Sequence, residues 1–173
     1  RKGLPRLLRA MPKLLAQVPN ARLMVIGKDY GYARCLAKWL ARGLPVEIIN
    51  GLTRPEIDRL YARAKVLVLP SEIEAVSLVS AECTMAGVPP ILADVGGMPE
   101  VVRHEETGFL FPLGDTVLLA EQMVKLLTDQ RLSERFVSNG QGVFADLTIE
   151  RMMSGLDGVY EDAVLGKTSS PTH

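Results

Sequence analysis

The sequence predicts an α/β fold, a doubly wound parallel sheet, and three observations carry that prediction. Short runs that are apolar on nearly every residue recur along the chain. Segments with helical apolar period separate them, and the loops that follow the runs are rich in Gly, Ser and Asp. A near-continuous Val/Ile/Leu run marks a strand covered on both faces, as in parallel sheets. Regular alternation of such strands with helices marks the doubly wound class.

Taken in order, the chain opens on RKG and passes straight into a helix, so the strand that normally comes first in such a sheet is expected to be lacking. Leu4, Leu7, Leu8, Met11, Leu14 and Leu15 form one apolar stripe, with Arg6, Arg9 and Lys13 off it. Pro12 interrupts this stripe and predicts a kink or a late helix start. Strands are predicted at 22–27 (RLMVIG), 46–51 (VEIING), 65–70 (KVLVLP) and 89–94 (PPILAD), with helices at 30–43, 55–64 and 78–86. A short strand, GFLFP at 108–112, then leads into helices at 115–128, 131–144 and 149–165. Residues 1–165 read as one domain. The polar GKTSSPTH at 166–173 reads as a flexible tail.

The bulk composition, 47% hydrophobic and 23% charged, is that of an ordinary soluble domain. No apolar run approaches the roughly 18 residues of a membrane span, and no signal peptide is visible. Cys35 and Cys83 stand apart without metal-ligand spacing, which argues for a reducing compartment and so for the cytoplasm. Net charge is zero, yet residues 1–44 hold ten of the twenty Lys and Arg and a single acid, Asp29. That basic part suits an anionic partner such as a phosphate, a membrane surface met peripherally, or an acidic neighbouring domain. Nucleic acid is disfavoured, because no aromatic platform accompanies the basic residues.

Ligands of open parallel sheets bind at the carboxyl ends of the strands. The loops there read GKDYG, GLT, SEIEAVS and DVGGMPE, and three of the four contain Gly, which permits close backbone approach to a ligand. None is a dinucleotide fingerprint or a P-loop, which disfavours nicotinamide dehydrogenases and Walker ATPases. The third loop leads into a helix starting near Ser77, whose free N–H groups at Val76, Ser77 and Leu78 suit an anion. Glu74 stands in that loop, and Glu82 lies eight residues on, within the small and apolar VSLVSAECTMAG, predicted to be a buried helix. A buried carboxylate requires a partner, and carboxylates accept well from sugar hydroxyls. Phosphate and sugar on one ligand suggest a nucleotide sugar.

Glu74 and Glu82, with seven residues between them, resemble the E-x7-E motif of the group 1 (family 4) retaining glycosyltransferases, enzymes of the GT-B fold. The resemblance extends along the chain. RKGLPRLLRAMPKL is similar to that family's K-G helix, and LVLPSEIEAVSLVSAECTMAGVPPI to its P-S-x-x-E segment. VGGMPEVVRHEETGFLF resembles the G-G-x-P-E segment, and TIERMMSGLDGVYEDAV the closing helix ending in V-Y-E. The chain departs from the pattern at Val76-Ser77, where Phe-Gly is usual, and at the second Pro of GVPP, where Val is usual.

The resemblance implies a Rossmann-like, donor-binding C-terminal half whose acceptor is held by an N-terminal domain. Glu74 would contact donor-sugar hydroxyls near the reacting carbon, and Glu82 would accept from the ribose. Lys2 would neutralise the diphosphate, helped by the amides of Val76, Ser77 and Leu78. Gly27, Lys28, Gly51 and Leu52 would border the base. The donor would be a UDP-sugar, with GDP- or ADP-sugar as alternatives, the acceptor a sugar or a lipid-linked sugar, and neither cofactor nor metal is implied. A GT-B sugar-nucleotide epimerase, a non-catalytic nucleotide-sugar sensor and a flavodoxin-like or receiver module remain alternatives at this point. The last lacks the acids expected at the first strand end. His104 reads as a surface group, Glu100 either as a cap or salt bridge of its own short helix or as a site residue, and Met11, Met24 and Met85 as packing.

Overall fold

The computed structural model describes residues 2–27, 33–75 and 77–145, together with Met153, Tyr160 and Val164, each in helical conformation. The order is α1 (Leu4–Gln17), β1 (Leu23–Ile26), α2 (Ala33–Leu40), β2 (Val46–Ile49), α3 (Arg54–Tyr61) and β3 (Leu67–Leu69). There follow α4 (Leu78–Met85), β4 (Pro90–Ala93), α5 (Met98–Val101), β5 (Phe109–Phe111), α6 (Thr116–Thr128) and α7 (Gln130–Ala145). All five strands fall inside the predicted runs. The remaining residues of the helix expected at 149–165, and the tail at 166–173, lie outside the described residues.

Every strand pair is parallel. β1 pairs with β2, Leu23 opposite Val46 and Ile26 opposite Ile49, while β4 lies between β3 and β5. The single sheet expected from the pattern is therefore two ladders among the described residues, β2-β1 and β3-β4-β5. Burial follows this arrangement. All of β4 is buried, whereas β1 and β3 are only partly covered, each being paired along one edge.

What joins the two ladders is α1. Its Leu7, Met11 and Leu14 pack with Ile91, Phe111 and the α6 residues Leu119 and Met123, and its Leu4 and Leu8 pack with Leu36, Leu23 and Val25. The late start predicted from Pro12 is corrected, because α1 runs unbroken from Leu4 through Pro12. Pro5 sits in the first turn, where its missing N–H costs nothing. Pro12 lies exposed and removes one internal hydrogen bond, a cost of about 3 kcal/mol. Five buried Leu and Met side chains at about 1.5–3 kcal/mol each outweigh it.

A second correction concerns α4. Its inward face is Ser80, Cys83 and Thr84, while Leu78 and Met85 point outward and Glu82 is only partly buried. Small inner side chains let α7 come close. A Cβ on Gly140 would meet Thr84 Cγ2 at 2.6 Å.

Candidate functional site

Parallel strands place their following loops along one edge, so Gly27 and Gly51 close neighbouring β1 and β2, while Ser71–Glu74 and Asp94–Gly97 close β3 and β4. Two contacts bring the ladders' edges together. The start of α1 abuts the end of β3, where a Cβ on Gly3 would lie 1.8 Å from the Pro70 carbonyl oxygen. Gly3 also holds φ at 71°, a region that side chains disfavour. The start of α3 reaches α4 through Arg54 and Glu82.

Gly3 brings Lys2 against the β3 loop, and the Lys2 ammonium donates to Glu74 Oε1. Ser71 Oγ donates to the same oxygen at 3.0 Å, and Arg6 ties α1 to the loop again through Glu72 at 2.8 Å. Lys2 is largely exposed and Glu74 mostly covered, 70% against 18% of the side chain, so this carboxylate has a wall behind it and an exposed cation beside it.

The glycine pair of DVGGMPE has a role that differs from the expected approach to a ligand. Gly97 N–H donates to the Glu74 carbonyl at 3.2 Å. A Cβ on Gly96 would stand 2.1 Å from that carbonyl oxygen, and one on Gly97 1.9 Å from the Ala75 carbonyl oxygen. The close approach is thus to the chain's own Glu74–Ala75 backbone. It fixes the loop that carries the carboxylate.

Glu82 was expected to be compensated by ligand hydroxyls. In this structure protein groups do so. Arg54 Nη1 donates to Oε1 at 2.6 Å and Tyr61 Oη to Oε2 at 3.2 Å. Burial, with Cys83 and Glu82 alongside, pushes the Tyr61 phenol above its usual range, so it remains a donor. Sequence reasoning missed Arg54 and Tyr61. The available signal was their spacing, since residues seven apart share a helix face.

Ser77 caps α4, its Oγ accepting from Ser80 N–H at 3.1 Å, and it is buried. The Leu78 and Val79 amides that follow precede the first bond of the helix, which Ser80 N–H makes to the Ser77 carbonyl at 3.1 Å. The Leu78 side chain is exposed, so only its backbone is available to a ligand on that side. Leu52 is half-buried beside Gly51. Lys28 and Val76 lie outside the described residues. His104 Nδ1 accepts from Leu110 N–H at 3.0 Å, a structural bond in the turn before β5. An open depression lined by Pro19, Asn20, Ala21, Arg22 and Pro45 lies at the amino end of β1 and β2, away from both carboxylates and their chemistry.

A walled carboxylate with an adjacent cation, one loop from a capped helix start, is a group able to take both hydroxyls and phosphate. The family model for glycosyl transferases group 1 matches residues 1–143. The chain belongs to that family.

The chain is similar to N-acetyl-alpha-D-glucosaminyl L-malate synthase of Bacillus anthracis, 30% identical over 158 residues, which cover 90% of this chain and 41% of that protein. Among solved structures, sucrose-phosphate synthase from Thermosynechococcus elongatus superposes with a TM-score of 0.79 at 28% identity, over 96% of this chain and 43% of the other. An Anabaena protein solved with UDP-glucose gives 0.69 at 25% identity, over 78% and 39%. The fold is the Rossmann-like α/β arrangement of GT-B enzymes, and the chain spans about two fifths of the length of these relatives. Among the described residues, no helix is long and apolar enough to cross a membrane.

Proposed function

We propose that this chain is the donor-binding, C-terminal half of a family 4 retaining glycosyltransferase, taking a nucleoside diphosphate sugar and passing the sugar to an acceptor held by an N-terminal domain. The observation that carries the reading is the meeting of Lys2, Glu74 and Ser71 where α1 abuts the end of β3, one loop from the α4 start. Sugar transfer breaks the bond between the anomeric carbon and the diphosphate oxygen, which leaves with the electron pair. Negative charge therefore grows on the diphosphate, and Lys2 with the amides of Ser77 and Leu78 is placed to stabilise it. Glu74 accepts from the sugar hydroxyls and orients the anomeric carbon, a positioning effect that lowers the barrier through entropy already spent in binding.

The acceptor oxygen attacks from the face the diphosphate leaves, which gives retention, and its proton passes to the departing diphosphate. Glu82 holds the ribose. Gly27, Lys28, Gly51 and Leu52 border the base. Binding of phosphate in this scheme uses Lys2 and backbone amides, without a metal or cofactor. The likeness to a structure solved with UDP-glucose supports a uridine donor. A thermal-shift series of UDP, GDP, ADP and their sugars tests the reading. Stabilisation by UDP and UDP-sugars is expected, and no shift with any nucleotide overturns donor binding.

A further inference from the structure

We propose that Arg54 and Tyr61 are positioning residues that hold Glu82 as a two-oxygen acceptor for a vicinal diol, the ribose of the donor. The inference rests on the donor-site reading above. Arg54 Nη1 lies 2.6 Å from Oε1 and Tyr61 Oη 3.2 Å from Oε2, one donor on each oxygen. A carboxylate offers about four acceptor positions, so two remain, one on each oxygen, for two neighbouring hydroxyls.

The two donors are themselves fixed. Arg54 and Tyr61 stand at the first and last positions of α3, two turns apart on one face, with Glu82 of α4 between them. Arg54 Nε also donates to Asp58 at 3.0 Å. The turn that carries Arg54 is pinned by a capping box, in which Glu56 Oε2 accepts from the Thr53 N–H at 2.8 Å and from its hydroxyl at 2.6 Å. Tyr61 is buried with Cys83 and Val88. A partly exposed Glu on an outer helix face otherwise samples several rotamers, and ordering it on binding costs affinity. Here α3 orders it before any ligand arrives, and the GLT loop that would border the base runs directly into Arg54. Base and ribose contacts are thereby linked through one short segment.

Calorimetric titration with uridine diphosphate and 2′,3′-dideoxyuridine diphosphate, on the 173-residue chain and its Tyr61→Phe, Arg54→Met and Arg54→Lys variants, tests the assignment. The unaltered chain is expected to prefer the ribonucleotide. Tyr61→Phe and Arg54→Met should each weaken it by roughly 3- to 10-fold, as expected for one hydrogen bond acting indirectly. Both should leave the dideoxynucleotide within about twofold, and Arg54→Lys should recover part of the loss. Equal losses on both nucleotides, or none on either, overturn the positioning role. A chain that binds the two nucleotides equally well removes the ribose from Glu82 and overturns it too. Failure to bind any nucleoside diphosphate, guanosine and adenosine forms included, instead strikes the donor-site reading itself.

Discussion

Lys2 and Glu74 meet across 72 positions of sequence, at the point where α1 begins and β3 ends. The contact exists because Gly3 lets the two backbones approach as no side chain would allow. An ion pair whose cation is this exposed contributes little to folding. Its value lies in placing a cation and an acceptor side by side.

On the donor-site reading, Glu74→Gln and Lys2→Met should lower sugar transfer about 100-fold or more, the scale of losing a stabilising group in an electrostatic site. Their melting temperatures should stay within about 2 °C of the parent. Initial rates and thermal melts of the same samples check both halves. A large loss of stability would reassign the pair to folding.

Nucleotide binding should separate the two carboxylates. Glu82→Ala is expected to weaken the free nucleoside diphosphate by about 10-fold or more, while Glu74→Ala has little effect until the sugar is attached. Calorimetry with UDP against UDP-sugar makes the comparison, and equal losses from both variants would sink the assignment.

Gly97→Ala should destabilise the chain by about 1–3 kcal/mol and reduce donor-sugar binding, since its methyl group would be driven into the Ala75 carbonyl beside Glu74. Gly142→Ala, in α7 with open space around it, should stabilise by about 0.5–1 kcal/mol. Urea melts read both signs in one experiment.

Burial pushes the Cys83 thiol up to about 12. In a chain carrying Cys35→Ser, Cys83 should react slowly with a thiol reagent at pH 8 and rapidly once urea unfolds the protein. The unfolded thiol ionises near pH 8.5–9. Its folded form resists ionisation, so this contribution to stability is full below about pH 9 and is lost as pH rises toward 12. Denaturation midpoints between pH 8 and 11 should fall accordingly.

The sequence by itself determined the five strands and, apart from the short α5, the order of the described helices among them. The five apolar runs became β1 to β5 because each, Glu47 apart, is nearly free of polar side chains over the strand itself. Glu74, Glu82 and the capping Ser77 drew notice for a related reason, since charged or capping groups beside apolar runs need a purpose, while Lys2 entered only through the family resemblance. Tertiary structure alone decided what those groups touch. Arg54 and Tyr61 look like ordinary surface and core residues until α3 lies against α4 and puts them on the two oxygens of Glu82. Gly96 and Gly97 read as room for a ligand until the fold brings the Glu74 and Ala75 carbonyl oxygens to 2.1 and 1.9 Å from where a Cβ would stand. The outward face of α4 likewise followed from α7, whose Gly140 packs on Thr84 and turns Leu78 and Met85 away. Period and composition record which side chains prefer to leave water. Which distant atoms they then meet depends on packing between elements far apart in the chain, and local pattern carries no trace of that.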